Sequence, residues 1–384
     1  MTKKSLTLVL GLLVVLSLTL SACGGAAPAE EAPAAQAPAA AEEEAPAAEE
    51  EASGELQPAS EIVFYNWSEY IDPEIYAQFE AETGIKVVED NFSSNEDLYA
   101  KLKGGASGYA VIVPSDYYVT IMIAEGMLAE LNHDNVPNLA NLGDQFTNLP
   151  YDAGNVYCAP YQWGTTGLGY LDGEIEEPTS WAVLFEPSEE HPAFGRTTML
   201  DDVRESFAAA LIYLGYDINT TNEAELEEAK TLLIQAKAGL SGYDSDTYED
   251  LVAAGENLMA HGWNGDFLVA QEENENVSYT IPEEGGVVWV DNMCIPAGLD
   301  PEVQLAGEMF INYILEAEIG AQLSDWNWYA SPNAAAEELL DEEFLSDPTV
   351  YPPAEVLAKL QYIRALGETE SIYQRMWDEV KAAQ

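Results

Sequence analysis

Beyond residue 60 the chain switches repeatedly between two spacings of apolar residues, and the switching predicts its architecture. Glu61-Ile62-Val63-Phe64-Tyr65 reads as a strand. Pro73 then opens a helical pattern that sets Ile75 and Phe79 on one face, and Gly84 ends it. Ile85 to Val88 predicts a second strand, Asn95 to Leu102 a helix, and Ala110 to Val113 a third strand running into Pro114. Strand and helix in alternation imply an α/β fold with a parallel sheet. Further on, helices are expected over 202–213, 223–238 and 247–254, and strands near 257–263 and 286–290. Amphipathic helices are expected over 304–323 and 354–366. No repeat of solenoid period is visible.

The N-terminal pattern is different. Met1-Thr2-Lys3-Lys4 is positive, and an apolar run from Leu6 to Leu20 follows, too short for a spanning helix but right for a signal peptide over 1–22. It stops at Leu20-Ser21-Ala22-Cys23, which resembles the bacterial lipobox, with Cys23 as the lipid-bearing first mature residue. From there to about residue 60 the chain is Ala, Pro, Glu and Gln, which cannot bury enough surface to offset its ordering entropy. A tether is expected over 23–60, holding an exported domain at the outer face of a membrane or in the periplasm.

Charge narrows the partners. The chain has 69 Asp and Glu against 13 Lys and Arg, a formal charge of -56, and the globular part is itself strongly acidic. That argues against nucleic acid and allows cationic partners, although solubility in an exterior medium accounts for such a surface more readily. Cys158 and Cys294 remain after Cys23, each on a short apolar stretch entering a proline; the sequence leaves open a disulfide or two buried thiols. His133, His191 and His261 share no ligand spacing, and no phosphate loop, zinc-protease helix or Cys-x-x-Cys motif occurs, so no metal and no cofactor are expected. The acidic stretch from Asp244 to Asp250 lacks the glycine and final glutamate of a calcium loop and reads as a solvated helix start.

What stands out is aromatic residues beside carboxylates at strand ends: Trp67-Ser68-Glu69-Tyr70, Ser115-Asp116-Tyr117-Tyr118, Trp263-Asn264-Gly265-Asp266 and Trp289-Val290-Asp291. Ligands of open α/β sheets bind at the carboxyl ends of strands, so four such clusters can line one cleft. Asp202 and Glu205, three apart near a helix start, project from one face, though acids are favoured at that place in any helix.

These segments, with Thr83-Gly84-Ile85-Lys86-Val87, Pro160-Tyr161-Gln162-Trp163-Gly164-Thr165-Thr166, Ser180-Trp181, Leu200 to Glu205 and Glu284 to Asp291, resemble in order the spermidine/putrescine-binding proteins of bacterial ABC importers. The resemblance implies a type II periplasmic-binding-protein fold, with two α/β lobes closing around a hinge over a polyamine bound for a membrane permease. Lobe 1 would hold 61–160 and 292–335, and lobe 2 would hold 161–291 and 336–384 with C-terminal helices. It implies ligand contacts at Trp67, Ser68, Glu69, Tyr70, Ser115, Tyr117, Asp202, Glu205, Trp263, Trp289, Asp291 and Tyr329, in a protein that makes no bonds and acts as a monomer. Two departures stand out. Ala110 replaces an aspartate common before the third strand, and Asn327-Trp328-Tyr329-Ala330 replaces a Gly-Tyr-Pro turn. An amide contact of the family falls near Gln361 with shifted spacing.

The chemistry is consistent in its own terms. A polyamine is an apolar rod with a charge every few carbons, so its receptor needs aromatic walls and separated carboxylates. Receptors for an opine, amino acid or sugar use aromatic walls too, and a hydrolase with Asp202 and Asp291 as acid and base is the remaining alternative.

Overall fold

The computed structural model describes residues 56–383. The expected signal peptide, the lipid-bearing Cys23 and the tether as far as residue 55 lie outside the described residues. The expected end of the tether at residue 60 is slightly late. The Ala59 N–H already donates to the Glu302 carbonyl at 2.8 Å and the Ser60 carbonyl accepts from Lys86 at 3.0 Å, which anchors the entry to the fold.

Strand and helix alternate first as β1 (Glu61–Trp67), α1 (Pro73–Thr83), β2 (Lys86–Phe92), α2 (Asn95–Lys103), β3 (Tyr109–Ile112) and α3 (Asp116–Ala124). Local chemistry sets the ends of α1. The Asp72 carboxylate accepts from the Glu74 N–H, Pro73 occupies the first turn, and Gly84 leaves in the left-handed region at φ 75°. The second series runs β4 (Cys158–Leu171), β5 (Thr197–Met199), α4 (Val203–Leu214), α5 (Glu223–Ala236), β6 (Gly242–Tyr243), α6 (Tyr248–Ala253), β7 (Met259–Trp263), α7 (Asn264–Glu273), β8 (Val277–Thr280) and β9 (Val287–Cys294). Helices α8 (Pro301–Ile314), α9 (Ala317–Asn327) and, near the C-terminus, α10 (Glu370–Ala382) complete the scaffold.

Among the described residues nine strands form one curled sheet in the order β2-β1-β3-β9-β4-β7-β5-β6, with β8 also on β4. The expected parallel sheet holds only in its two wings. Strands β2, β1 and β3 are mutually parallel, as are β7, β5 and β6. Between them β9 runs antiparallel to both β3 and β4, and β4 antiparallel to β7. The cause is β4, a 14-residue strand long enough to belong to both wings, with β9 returning along it. Each wing therefore carries its own helices, and two central strands tie the wings together. A disulfide between Cys158 and Cys294, Cα atoms 4.4 Å apart, joins the start of β4 to the end of β9.

Apolar rings fill the space behind each wing. Phe64 and Phe79 meet Phe310 of α8 edge-on at 5.2 and 5.1 Å, and Phe207 of α4 meets Tyr373 of α10 at 5.2 Å. Two expected helices differ. The helix over 304–323 is two, because the side-chain amides of Asn141 and Asn333 both donate to the Leu315 carbonyl and end α8 there. The helix over 354–366 is one turn, Ala354–Leu357, after which Gln361 pairs with the edge of β9: its N–H donates to the Gly286 carbonyl and its carbonyl accepts from Val288. Leu357, Leu360, Ile363 and Leu366 have helical spacing, and backbone pairing with the sheet overrides it. Among the described residues no helix is long and apolar enough to cross a membrane.

Candidate functional site

The first wing ends its strands on one side of a cavity of about 670 Å³, and α4, α6 and α7 of the second wing begin on the other. All the ligand contacts implied by the family resemblance line it: Trp67, Ser68, Glu69, Tyr70, Ser115, Tyr117, Asp202, Glu205, Trp263, Trp289, Asp291 and Tyr329. Gln361 does not, being held at the edge of β9, and Ile363 lines the cavity instead.

Each wall is fixed by backbone geometry. The Trp67 indole N–H donates to the Val113 carbonyl at 2.9 Å, locking the ring between β1 and β3. Its edge meets Trp263 at 5.6 Å across the cleft. Trp289 and Tyr329 meet at 5.3 Å, and Tyr70 closes on Tyr329 at 5.2 Å. Two glycines admit these rings. A Cβ on Gly164 would lie 2.7 Å from the Trp289 ring, and one on Gly265 would lie 2.7 Å from the Tyr329 ring. Asn264 holds the Trp-Asn-Gly turn in place, accepting from the Thr165 N–H at 2.8 Å and donating to the Thr349 carbonyl at 3.0 Å.

A bulge aims the carboxylate of β9. Asp291 pairs with Gln162 but Asn292 with Pro160, so Tyr161 is the extra residue, and the missing N–H of Pro160 falls where the ladder is already broken. The Ser115 hydroxyl donates to Asp291 Oδ1 at 2.6 Å and accepts from the Asn95 amide at 2.9 Å. Burial drives the Asp291 carboxyl up to about 7 despite the Ser115 and Tyr70 hydroxyls. Asp202 caps α4, accepting the N–H groups of Arg204 and Glu205 at 2.9 and 3.0 Å, and burial pushes it to about 6. Glu205, 6% exposed, is pushed well above the usual carboxylate range by burial and then by Asp202, and its Oε2 has no hydrogen-bond partner.

Sequence reasoning passed over other lining acids. Asp116, beside Ser115, is buried and its carboxyl raised by that burial. Asp266 receives the Tyr329 hydroxyl at 2.6 Å and that of Tyr248. Asp246 accepts from the Ser68 hydroxyl at 3.1 Å and the Ser93 hydroxyl at 3.0 Å, a contact from the second wing to the first. With Glu69, Glu89, Glu249, Asp250 and Glu273 the lining holds eleven carboxyl groups and no Lys, Arg or His. Asp116 and Asp266 stood in the aromatic motifs and could have been taken from there; Asp246, Glu249 and Asp250 lie in the acidic stretch that reads as a solvated helix start, and Glu89 and Glu273 carry no local signal. Among the described residues no group of three or more His, Cys, Asp or Glu is arranged to hold a metal ion.

The chemistry of such a lining suits an elongated cation, with rings to cover methylenes and carboxyls to receive N–H donors. The family model of bacterial extracellular solute-binding proteins matches residues 74–352. The chain is 36% identical over 325 residues to the spermidine/putrescine-binding periplasmic protein of Escherichia coli, covering 84% of this chain and 91% of that one. Among solved structures it is similar to the spermidine/putrescine ABC transporter substrate-binding protein PotD of Streptococcus pneumoniae (TM-score 0.68, 31% identity, 84% of this chain and 99% of that one). It is also similar to the TpPotD lipoprotein of Treponema pallidum (TM-score 0.72, 29% identity, 83% and 99%). The matched span and these identities make the chain a member of the bacterial extracellular solute-binding proteins.

Proposed function

We propose that the protein captures a polyamine, spermidine or putrescine, and delivers it to a membrane-embedded ABC permease without making or breaking bonds. One observation carries this reading: eleven carboxyls and no basic side chain line a cleft walled by Trp67, Trp263, Trp289 and Tyr329. Neutral solutes need no such excess of acid, and an acid-base hydrolase needs two carboxyls rather than eleven. The ligand names of the Escherichia coli and Streptococcus pneumoniae relatives support the same choice.

In this reading the ammonium groups enter as the partners the buried carboxyls lack, and the rings of Trp67 and Trp263 cover the methylenes between them. Lobe 1 (61–160 and 292–335) and lobe 2 (161–291 and 336–384) close on the ligand, and Asp246 meets Ser68 and Ser93 as they do so. A lipid on Cys23 and a tether would keep this monomeric receptor at the membrane surface, an arrangement supported by the Treponema pallidum lipoprotein among its relatives.

Isothermal calorimetry with spermidine, putrescine and a neutral sugar panel tests the ligand. Heat with a polyamine and none with sugars is expected. Silence with both polyamines at concentrations well into the micromolar range sinks the reading.

A further inference from the structure

Where the two wings meet, an acid outside the cavity lining is shut away from water. Glu96, on the first turn of α2, belongs to the first wing; its Oε2 is buried and has no hydrogen-bond partner. The helix start that carries it is fixed against α3, because the Ser115 N–H donates to Asn95 Oδ1 at 2.9 Å and the Asn95 amide donates back to the Ser115 hydroxyl at 2.9 Å. The groups that face it come from three elements: Asp202 and Arg204 of α4, Glu370 of α10, and Tyr117 and Tyr118 of α3. The Arg204 guanidinium lies 5.6 Å from the Tyr117 ring, so α4 of the second wing rests on the first wing at this place. Its terminal nitrogens are committed to Glu370, Asn219 and the Arg364 carbonyl, and it makes no ion pair with Glu96.

A charged carboxylate in that setting is costly, and a proton removes the cost. Burial, and after it Asp202, holds the Glu96 carboxyl well above the usual range, with only its own N–H and the distant Arg204 pulling the other way. When the wings part, Asp202, Arg204 and Glu370 leave with the second wing and Glu96 meets water, where a glutamate gives up its proton at about 4.3.

We infer that Glu96 is a positioning residue that brakes lobe closure: the wings close over it as its carboxyl takes a proton from solvent, so removing its charge tightens ligand capture. The inference rests on the polyamine reading and the closure that goes with it. Above the ordinary glutamate value closing binds a proton, and the brake strengthens as pH rises. Asp202, Glu205 and Asp291 in the cleft act with the opposite sign, giving up protons to an arriving ammonium, so the effect of Glu96 is read as a difference between wild type and variant.

Calorimetry of wild type and Glu96→Gln with spermidine and putrescine tests this. At about pH 7.5 the variant is expected to bind both polyamines about fivefold or more tighter than wild type, and the gap is expected to narrow as pH falls toward about 5. Repeating the titrations in buffers of different ionisation heat counts protons, and wild type should take up more per ligand than the variant, by up to about one. Glu96→Ala, which removes the carboxyl and its volume, should shift affinity the same way and serves should the Gln variant not fold. A folded variant that binds no tighter than wild type, a gap constant with pH, or equal proton counts overturns the inference and leaves polyamine capture standing. Wild type that binds no polyamine overturns both.

Discussion

The first turn of α4 faces two ways, and its two sides solve opposite electrostatic problems. On the cleft side Asp202 and Glu205 are buried, and no side-chain cation bonds either. On the far side Arg204, 1% exposed, donates to Glu370 at 2.9 Å, to Asn219 at 3.2 Å and to the Arg364 carbonyl at 3.1 Å. Its guanidinium lies 4.7 Å from the Tyr373 ring. That positive charge eases Asp202 and Asp116 through space only, because its hydrogen bonds all go elsewhere. The same helix thus completes its structural ion pair within the chain and leaves its acids for a partner from outside.

Removing the structural side should have the largest effect. Arg204→Ala strands Glu370 and is expected to cost about 3 kcal/mol of stability in urea unfolding. A loss under about 1 kcal/mol would mean the far side is not the fixed one. Glu205→Gln should do the reverse, weakening polyamine binding by about 1 to 3 kcal/mol in calorimetry while the ligand-free protein melts no lower. Unchanged affinity would remove Glu205 from the site.

The pH dependence sharpens the contrast. Asp291 is raised to about 7 by burial, against an unfolded value of about 3.9, so the ligand-free fold holds its proton more tightly than the unfolded chain. The stability this confers is complete below about pH 4 and disappears as pH rises to about 7. Asp291→Asn should therefore gain on wild type over that window, by about 1 kcal/mol once water in the cavity is allowed for. Melting curves from pH 4 to 8 would show it, and a constant gap would contradict it. The smallest effect is expected at Asp246, whose partners are serines. Asp246→Ala should speed ligand release about threefold in stopped-flow measurements without lowering ligand-free stability. An unchanged release rate would show that this contact does not hold the closed form.

How much of this was legible in the sequence depends on where each signal lies. Trp67 to Tyr70, Ser115 to Tyr117, Trp263 and Trp289 to Asp291 sit where strands end, so local pattern and topology identify them together. Glu249 and Asp246 do not. Their stretch has the composition of a solvated helix start, yet Glu249 is buried there, and its neighbour Tyr248 packs on Trp263 and Phe267, more than ten residues away. The antiparallel centre escaped for the same reason: nothing local in Val287 to Cys294 says that its neighbour is β3, on the far side of the second wing's sequence. Helical spacing after Leu357 misled because backbone pairing to β9 depends on residues far away in the chain.

That distant pairing sets the order in which the molecule becomes competent. Synthesis delivers β3 long before β9, and until β9 arrives the first wing keeps an open edge that can pair with the wrong chain. The strand that closes this edge also brings Trp289 and Asp291. Protection from aggregation and the ability to bind therefore arrive in a single event, and a chain cut short before it would be a liability to the cell rather than a feeble receptor.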